Sequence, residues 1–424
     1  MIEIHQDSLR FSFPAIAAEI EALLEAYVAK MLPSFLSEYP EMVIRELLED
    51  RPHLFRASGS EKKIRKLVLG LTHEDIERLL REQVWDKAGL HGGHHPARME
   101  IEFQRTLRIP DDGKTYPLPP SLGSFPLRHV DDFADRVPQE WLKRGGVLMP
   151  MYQAEALWMN FDSGYPFALK IAAGKINAVS GESWQGGLQR KPQDYVVIPG
   201  QPWLDGFAVA KGVIRQFVAM PLGAGYSVEE QLSGKAEFGG MQFQAIPMKA
   251  RKYYESKVLP KLPARLAQIV DRMLHKELMF EGLRSGLVKC CAEAGGMGLG
   301  AGGRMRQEIY KDPHAAEDWD LEQSSRCFVH LCDALLWREI TGENPPQTPV
   351  TAMEYKRAKL PWFDYYRDDL AVLEGSKTLA SIKSVNTLSQ EKNGHALPGN
   401  TSVKVPSVID CSPKNKTVKE WVGE

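Results

Sequence analysis

The segment MEIEFQRTLRI at residues 99–109 is the feature that most restricts the fold of this chain. Its odd-numbered positions are apolar apart from Arg105, and its even-numbered positions are polar. A period of two sustained over this length predicts a long strand with one buried face. The turn sequence PDDG at residues 110–113 is expected to end the strand.

Residues 15–90 have a different pattern, in which apolar residues recur at helical spacing. Four segments carry it: PAIAAEIEALLEAYVAKML, PEMVIRELLED, SEKKIRKLVLG and THEDIERLLREQV. Thr72 and Asp75 approximate a capping box at the start of the last segment. The pattern predicts a four-helix module inserted between the 99–109 strand and an earlier strand, DSLRFSFP, because lengthening a loop adds little entropy cost.

Short strand candidates separated by turn residues follow between residues 151 and 250: EALWMNF, FALKIAAGKINAVSG, DYVVIPG, DGFAV, VIRQFVAMP and MQFQAIPMK. Helices are predicted at 265–278 and 320–342 from their apolar spacing. The fold class that we predict is α+β, with a mainly antiparallel sheet core (a sandwich or an open barrel), flanking helices and the inserted helical module.

These patterns predict three parts of the chain. Residues 1–14 and 99–385 are expected to form a mixed α+β core domain, and residues 15–90 the inserted helical module. Residues 386–424 are polar with few large apolar side chains, which predicts a disordered tail.

Composition restricts the partners and the compartment. The net charge of −2 and the pI of 6.6 create no field that attracts nucleic acid or anionic lipid. Five cysteines in 424 residues are typical of a reducing compartment, and the first residues lack the pattern of a signal peptide. No long apolar run is present, and the mean hydropathy is −0.32. We expect a soluble, cytoplasmic protein with neither nucleic acid nor membrane as a partner.

Six glycines lie within residues 295–303, and Arg304 and Arg306 follow them. Although Gly298, Gly300 and Gly303 fit G-x-G-x-x-G, Pro313 interrupts the helix that a dinucleotide site needs, and the Lys-Ser/Thr of a phosphate-binding loop is missing.

Two interpretations of this stretch remain. The first is an anion site built from backbone N–H groups and paired arginines; its residues would be Gly298, Gly300, Gly302, Gly303, Arg304 and Arg306. The second is a loop leading into an edge strand, whose arginines pair with Glu308 or Asp312.

The histidines and cysteines do not predict a metal site. His91, His94 and His95 surround two glycines, which favours an exposed turn. Cys290 and Cys291 lie far in sequence from a second group consisting of Cys327, His330 and Cys332. On the predicted 320–342 helix, Cys327 and Cys332 would lie roughly 140° apart, so one ion could not bind the whole second group.

Two secondary candidates remain. Cys327 and His330 could form a thiolate–imidazole pair if their helix faced a cleft. Trp362 and Asp364 lie in the aromatic segment LPWFDYYRDD, which predicts either a segment docked on the core or a recognition surface.

Several long motifs resemble a family of uncharacterised, mostly bacterial proteins. They include IPDDGKTYPLPP, FALKIAAGKINAVSGE, PQDYVVIPGQPWLDGF, PLGAGYSVEEQLSG, GGRMRQEIYKD and PWFDYYRDD. The resemblance covers about residues 99–385 and the first strand, and it implies one structural unit there. It brings no established activity, cofactor or catalytic residue to this chain.

No complete catalytic constellation is present, so whether the chain is an enzyme stays open. We predict a binding or interaction protein whose residues 15–90 contact a protein partner. The alternative is an enzyme or ligand-binding domain for a small phosphate- or carboxylate-bearing molecule at the glycine-rich turn. Polar residues in strand candidates could complete that site: Lys170, Lys175, Asn177, Arg215 and Gln216.

Overall fold

The computed structural model describes residues 1–38, 72–88, 97–262, 296–349, 351–358, 360–367 and 369–412. The chain divides into two compact units. The first consists of Met1–Ser12, Arg98–Pro247 and Lys289–Glu424, and the second of Phe13–Ala97 and Met248–Val288. The second unit thus draws on a later segment of the chain as well as on the region predicted to be a helical module.

Strands of the described residues all belong to the first unit. They are β1 (Ile2–His5), β2 (Ser8–Ser12), β3 (Arg98–Thr106), β4 (Thr115–Tyr116), β5 (Arg128–His129), β6 (Val147–Pro150), β7 (Ala156–Asp162), β8 (Phe167–Ala173), β9 (Ile176–Asn177), β10 (Val196–Ile198), β11 (Trp203–Leu204), β12 (Gly206–Ala210), β13 (Val213–Pro221), β14 (Met241–Pro247), β15 (Gly296–Arg306), β16 (Ser325–Cys332), β17 (Trp362–Asp364) and β18 (Val408–Asp410).

Helices of the described residues are α1 (Pro14–Glu38), α2 (His73–Lys87), α3 (Gln139–Arg144), α4 (Val228–Ser233), α5 (Ala250–Tyr253), α6 (Ala334–Thr341), α7 (Ala352–Ala358), α8 (Lys377–Ala380) and α9 (Val385–Asn393). One π-helical turn, Tyr254–Val258, follows α5 directly. Three-residue and four-residue 3₁₀ turns lie at Val130–Phe133, Leu259–Lys261 and Ala316–Asp318.

Sixteen strands form one open sheet whose main path is β1-β2-β3-β7-β13-β15-β16-β14-β8-β10. Neighbours along this path are antiparallel, and the parallel pairs are β4 with β15 and β6 with β16. The short strands β17 and β18 form a separate parallel pair. The predicted α+β fold with a mainly antiparallel sheet is therefore confirmed.

The alternating segment that begins at Met99 forms β3, between β2 and β7. Met99, Ile101 and Phe103 are fully buried, as the alternation predicts. Arg105, which interrupts the apolar pattern, is also buried, and its Nη2 lies 2.8 Å from a carboxylate oxygen of Glu155. A buried guanidinium is tolerated here because the paired carboxylate offsets part of its desolvation cost.

In the second unit, α1 and α2 pack against each other. Thr72 and Asp75 form the predicted capping box at the start of α2. The buried side of α2 carries Ile76, Leu80 and Val84, at the spacing of one helical face. The helices predicted within residues 39–71 and at 265–278 lie outside the described residues.

The helix predicted at 320–342 is wrong over its first half. Ser325–Cys332 is the strand β16, which pairs with β14, β6 and β15, and only Ala334–Thr341 is helical. The last four residues of this strand, 329–332, are buried whichever face they lie on, so their sequence can imitate a buried helix. The helix begins after Asp333, whose side chain accepts hydrogen bonds from the N–H groups of Leu335 and Leu336.

The disordered tail predicted from residue 386 is replaced by ordered structure in residues 386–412. Val385–Asn393 forms α9, and Val408–Asp410 forms β18 against β17. Val385, Leu388 and Leu397 are buried in a cluster with apolar side chains of β13. These three apolar residues are buried within an otherwise polar segment, and the average composition of the segment does not reveal them.

Candidate functional site

The glycine-rich stretch is a strand and not the turn that the predicted anion site requires. From Met297 to Arg306, β15 lies antiparallel to β13, with Met297 opposite Pro221 and Arg306 opposite Val213. The peptide groups of this stretch therefore belong to a sheet and do not form a concave set of free N–H donors. The structure in this way corrects the interpretation of the stretch as a glycine-rich turn.

These glycines are explained by close packing. A β-carbon would come closer than 3.0 Å to another residue at each of the predicted ligand positions Gly298, Gly300, Gly302 and Gly303. At Gly300 it would meet a methyl group of Val385, and at Gly303 the carbonyl oxygen of Pro110. Only glycine lets these neighbours approach the strand so closely.

Arg304 and Arg306 are both exposed, and since they are two residues apart they share one face of β15. Arg306 Nη2 lies 2.8 Å from Asp364 Oδ2, so its partner is neither Glu308 nor Asp312. Burial raises the pKa of Asp364, and the Arg306 charge opposes that shift. This pair joins β15 to β17 and does not form an anion site by itself.

Cys327 and His330 lie on opposite faces of β16 and form no thiolate–imidazole pair. Burial raises the pKa of the Cys327 thiol to about 12, so it stays protonated at neutral pH. Burial also lowers the pKa of His330 to about 4. The His330 ring stacks on Trp141 at a centroid distance of 4.8 Å, and its Nε2 lies 2.9 Å from the Gly145 carbonyl oxygen.

Trp362 is 1% exposed, so it anchors a docked segment and is not part of an open surface. Its ring centroid lies 6.2 Å from that of Tyr116 and 6.4 Å from that of Tyr355. Of the two interpretations of the aromatic segment, docking on the core therefore agrees with the position of Trp362.

The histidines His91, His94 and His95 and the cysteines Cys290 and Cys291 lie outside the described residues. Within the part of the chain that the structure describes, no three or more His, Cys, Asp or Glu side chains are grouped so that they could hold a metal ion.

Two adjoining cavities flank the segment 181–194, which we call the cavity loop. The Arg190 cavity has a volume of about 250 Å³, and its lining includes Ser180, Arg190, Pro192, Ile309, Lys311 and Leu373. The Lys170 cavity has a volume of about 190 Å³, and its lining includes Lys170, Asn177, Glu182, Trp184, Gln189 and Asp194. Both cavities are also bounded by Ser180 and Pro192, so they share a wall.

Arg190 is held in place by the segment that follows β15. Its Nη2 donates to the carbonyl oxygen of His314 at 2.7 Å and lies 3.5 Å from Asp312 Oδ2. The Asp312 side chain is fully buried and accepts hydrogen bonds from Tyr195 Oη at 2.6 Å and Trp319 Nε1 at 2.9 Å. Because the carboxylate is fixed from several sides, the guanidinium beside it is oriented before any ligand binds.

Burial raises the pKa of Tyr195, and the Asp312 charge raises it further, so the phenol remains a hydrogen-bond donor. Lys311 lines the same cavity as Arg190, is exposed, and makes no ion pair with any described residue. Glu374 also contributes to the lining, but its carboxylate lies 3.2 Å from Lys211 Nζ. The cavity therefore presents one oriented cation, Arg190, and one cation, Lys311, that has no ion pair among the described residues.

Lys170 is fully buried at the floor of the second cavity. Its Nζ lies 2.7 Å from Asp194 Oδ2 and donates to the carbonyl oxygens of Gln185 at 2.8 Å and Gly187 at 2.6 Å. These three partners use all the donors of an ammonium group. Lys170 therefore ties the cavity loop to β8 and is not a free nucleophile.

Buried glutamines connect the segment after β15 to the rest of the first unit. Gln193 Nε2 donates to the carbonyl oxygens of Tyr195 at 2.8 Å and Tyr310 at 3.0 Å, and its Oε1 accepts from the Asp312 N–H at 2.9 Å. Gln201 makes the same kind of connection: its Nε2 donates to the carbonyl oxygen of Glu308 at 3.1 Å, and its Oε1 accepts from the Tyr310 N–H at 3.4 Å. These amides replace the ladder bonds that a neighbouring strand would supply.

Asp205 lies between β11 and β12, and its carboxyl group is fully buried. Burial raises its pKa well above the usual range, and the Trp203 side chain offsets only part of this shift. Burial thus favours the neutral form of this group. It does not line either cavity, so it belongs to the packed interior and not to the site.

The five polar residues expected to complete a site are divided by the structure. Lys170 and Asn177 line the second cavity, whereas Lys175 lies over the Phe238 ring at 4.0 Å. Arg215 donates to the Gly302 carbonyl oxygen, and Gln216 bonds the backbone of the segment after β3. The lysine within the apolar run FALKIAA was the available signal for this site, whereas the loop residue Arg190 offered none.

A comparison of the chain with protein family models, curated proteins and solved structures gives no match. Among the helices within the described ranges, none combines the length and the apolar character needed to cross a bilayer.

Proposed function

We propose that this protein binds a small molecule carrying a phosphate or carboxylate group in the Arg190 cavity. The observation that supports the proposal is the pairing of two cations in one concave space: Arg190, oriented by Asp312, and Lys311, which has no ion pair among the described residues. A guanidinium that keeps unused N–H groups can bind such an anion through two hydrogen bonds.

The rest of the cavity suits the body of a small ligand. Val179, Pro192, Ile309 and Leu373 supply apolar surface, and the hydroxyl-bearing Ser180 adds a polar group. Apolar walls with a few placed polar groups are the usual composition of a ligand site. The volume of about 250 Å³ favours a compact metabolite over a large cofactor.

The proposal is one of binding and not of a particular reaction. The carboxylates of Asp194 and Asp312 each lie beside a cation, so both are already engaged. The predicted contact of residues 15–90 with a protein partner stays a prediction, because no described contact bears on it.

Calorimetric titration with inorganic phosphate and with citrate tests the proposal. We expect binding of at least one of them by the wild-type chain, and a loss of about tenfold or more in affinity for Lys311→Glu, since the substitution places a like charge beside the anion. Lys235→Glu is the matched control, because Lys235 is exposed and does not line the cavity. Absence of binding, or equal affinities for the two variants, would contradict the proposal.

A further inference from the structure

The Lys170 cavity has a different chemical character from the cavity beside it. Its lining carries carboxylate, hydroxyl and amide side chains: Glu182, Ser183, Gln185 and Gln189. Their side chains make no hydrogen bond or ion pair with another described residue, so their donors and acceptors are open to a ligand. A carboxylate accepts hydrogen bonds from hydroxyl groups, and an amide both accepts from them and donates to them.

Trp184 adds an independent observation. Its Nε1 is buried and has no hydrogen-bond partner within the described structure. Two cations lie over the indole ring, with Lys170 Nζ at 5.2 Å and Arg326 Cζ at 5.1 Å from its centroid. A buried N–H without a partner is costly, so it marks a place where an acceptor atom would bind favourably.

The two cavities adjoin, since Ser180 and Pro192 line both. We infer that the ligand is a hydroxylated anion, a phosphorylated or carboxylated polyol, whose charged group occupies the Arg190 cavity and whose hydroxyl groups occupy the Lys170 cavity. This inference rests on the proposed function and specifies its ligand class. Trp184 Nε1 donates to one hydroxyl oxygen, and Glu182 accepts from another.

The test compares affinities for glucose 6-phosphate, gluconate and inorganic phosphate by calorimetric titration. We expect the wild-type chain to prefer a polyol anion over inorganic phosphate by about tenfold or more, the effect of one or two added hydrogen bonds. A preference for glucose 6-phosphate or for gluconate distinguishes a phosphate from a carboxylate as the charged group.

Trp184→Phe removes the indole N–H and keeps an aromatic ring, and Glu182→Ala removes the exposed carboxylate. Each is expected to reduce the preference severalfold while the affinity for inorganic phosphate stays unchanged. Trp158→Phe is the matched control, because Trp158 also has a buried Nε1 without a partner but does not line the cavity. It should keep the full preference.

The outcomes separate the two proposals. Binding of inorganic phosphate with no preference for a polyol anion, or a preference that survives both Trp184→Phe and Glu182→Ala, would overturn the hydroxyl subsite and leave the anion site intact. Absence of binding of all three compounds, and of citrate, would overturn both. Circular dichroism of each variant shows whether it is folded, so that a lost preference is not confused with a lost fold.

Discussion

Glycine has opposite roles in two regions of the first unit. In β15, a β-carbon at Gly303 would come closer than 3.0 Å to the Pro110 carbonyl oxygen, so the residue is there to permit contact. In the cavity loop, a β-carbon at Gly186 would meet nothing within 4 Å. The difference teaches that the density of glycines in a sequence does not locate a binding loop. The glycine-rich stretch is the sheet strand β15. The open space lies beside Gly186 and Gly187, in a segment that is not rich in glycine.

Among the attachments of the cavity loop, the buried ion pair between Lys170 and Asp194 is expected to have the largest effect when it is broken. Asp194→Asn removes the charge that balances buried Lys170, and we expect a loss of about 3–5 kcal/mol in the free energy of unfolding, measured in urea. The double variant Lys170→Met with Asp194→Asn should recover part of this loss, because it leaves no unpaired charge. Equal losses in the single and double variants would contradict this account.

The stability of the sheet is expected to fall in acid because of His330, which lies in β16 next to β15. Because burial lowers the pKa of His330 to about 4, against about 6.5 in an unfolded chain, the unfolded state binds the proton first. The stabilisation is complete above pH 6.5 and is lost as the pH falls towards 4, by about 3 kcal/mol.

Urea unfolding at pH 7 and pH 4.5 measures this dependence in the wild type and in His330→Gln, which keeps a donor for the Gly145 carbonyl oxygen. Other groups titrate in both proteins, so the difference between them isolates the histidine. An identical pH dependence in the two proteins would show that His330 is not the group responsible.

The contrast between Gly303 and Gly186 predicts two smaller effects on stability. Gly303→Ala forces a β-carbon against backbone atoms, which we expect to cost about 1–3 kcal/mol of stability. Gly186→Ala has free space and a backbone conformation outside the left-handed region, so its effect should stay within about 0.5 kcal/mol. Thermal unfolding of both variants checks the contrast, and a loss at residue 186 equal to that at 303 would refute it.

The sequence predicted the sheet well where one face of a strand is buried and the other is not. The alternation that begins at Met99 follows from the pleat, and it led directly to β3. The pattern failed at Ser325–Cys332, because residues 329–332 are buried on both faces of the strand and the two-residue period disappears. It also failed at α9, where a few apolar residues dock a polar segment.

The candidate site was harder to predict, for a physical reason. Lys170 could be suspected because it interrupts an apolar strand, but Arg190 and Lys311 lie 121 positions apart and have no local pattern. They come together only through Asp312 and the buried contacts around it. A site made by tertiary contacts between loops leaves no periodic signal in one sequence.

The glutamines that hold the segment after β15 give this end of the protein a property that ion pairs lack. An amide carries no proton that titrates in the physiological range, so the bonds of Gln193 to Tyr310 and Asp312 persist while nearby histidines and carboxylates change charge. Each amide also has one donor end and one acceptor end, and it fits its two backbone partners in a single orientation. Replacing Gln193 by glutamate would place a carboxylate oxygen against the carbonyl oxygens that its Nε2 now donates to. The contact therefore depends on the polarity of the side chain as well as on its shape.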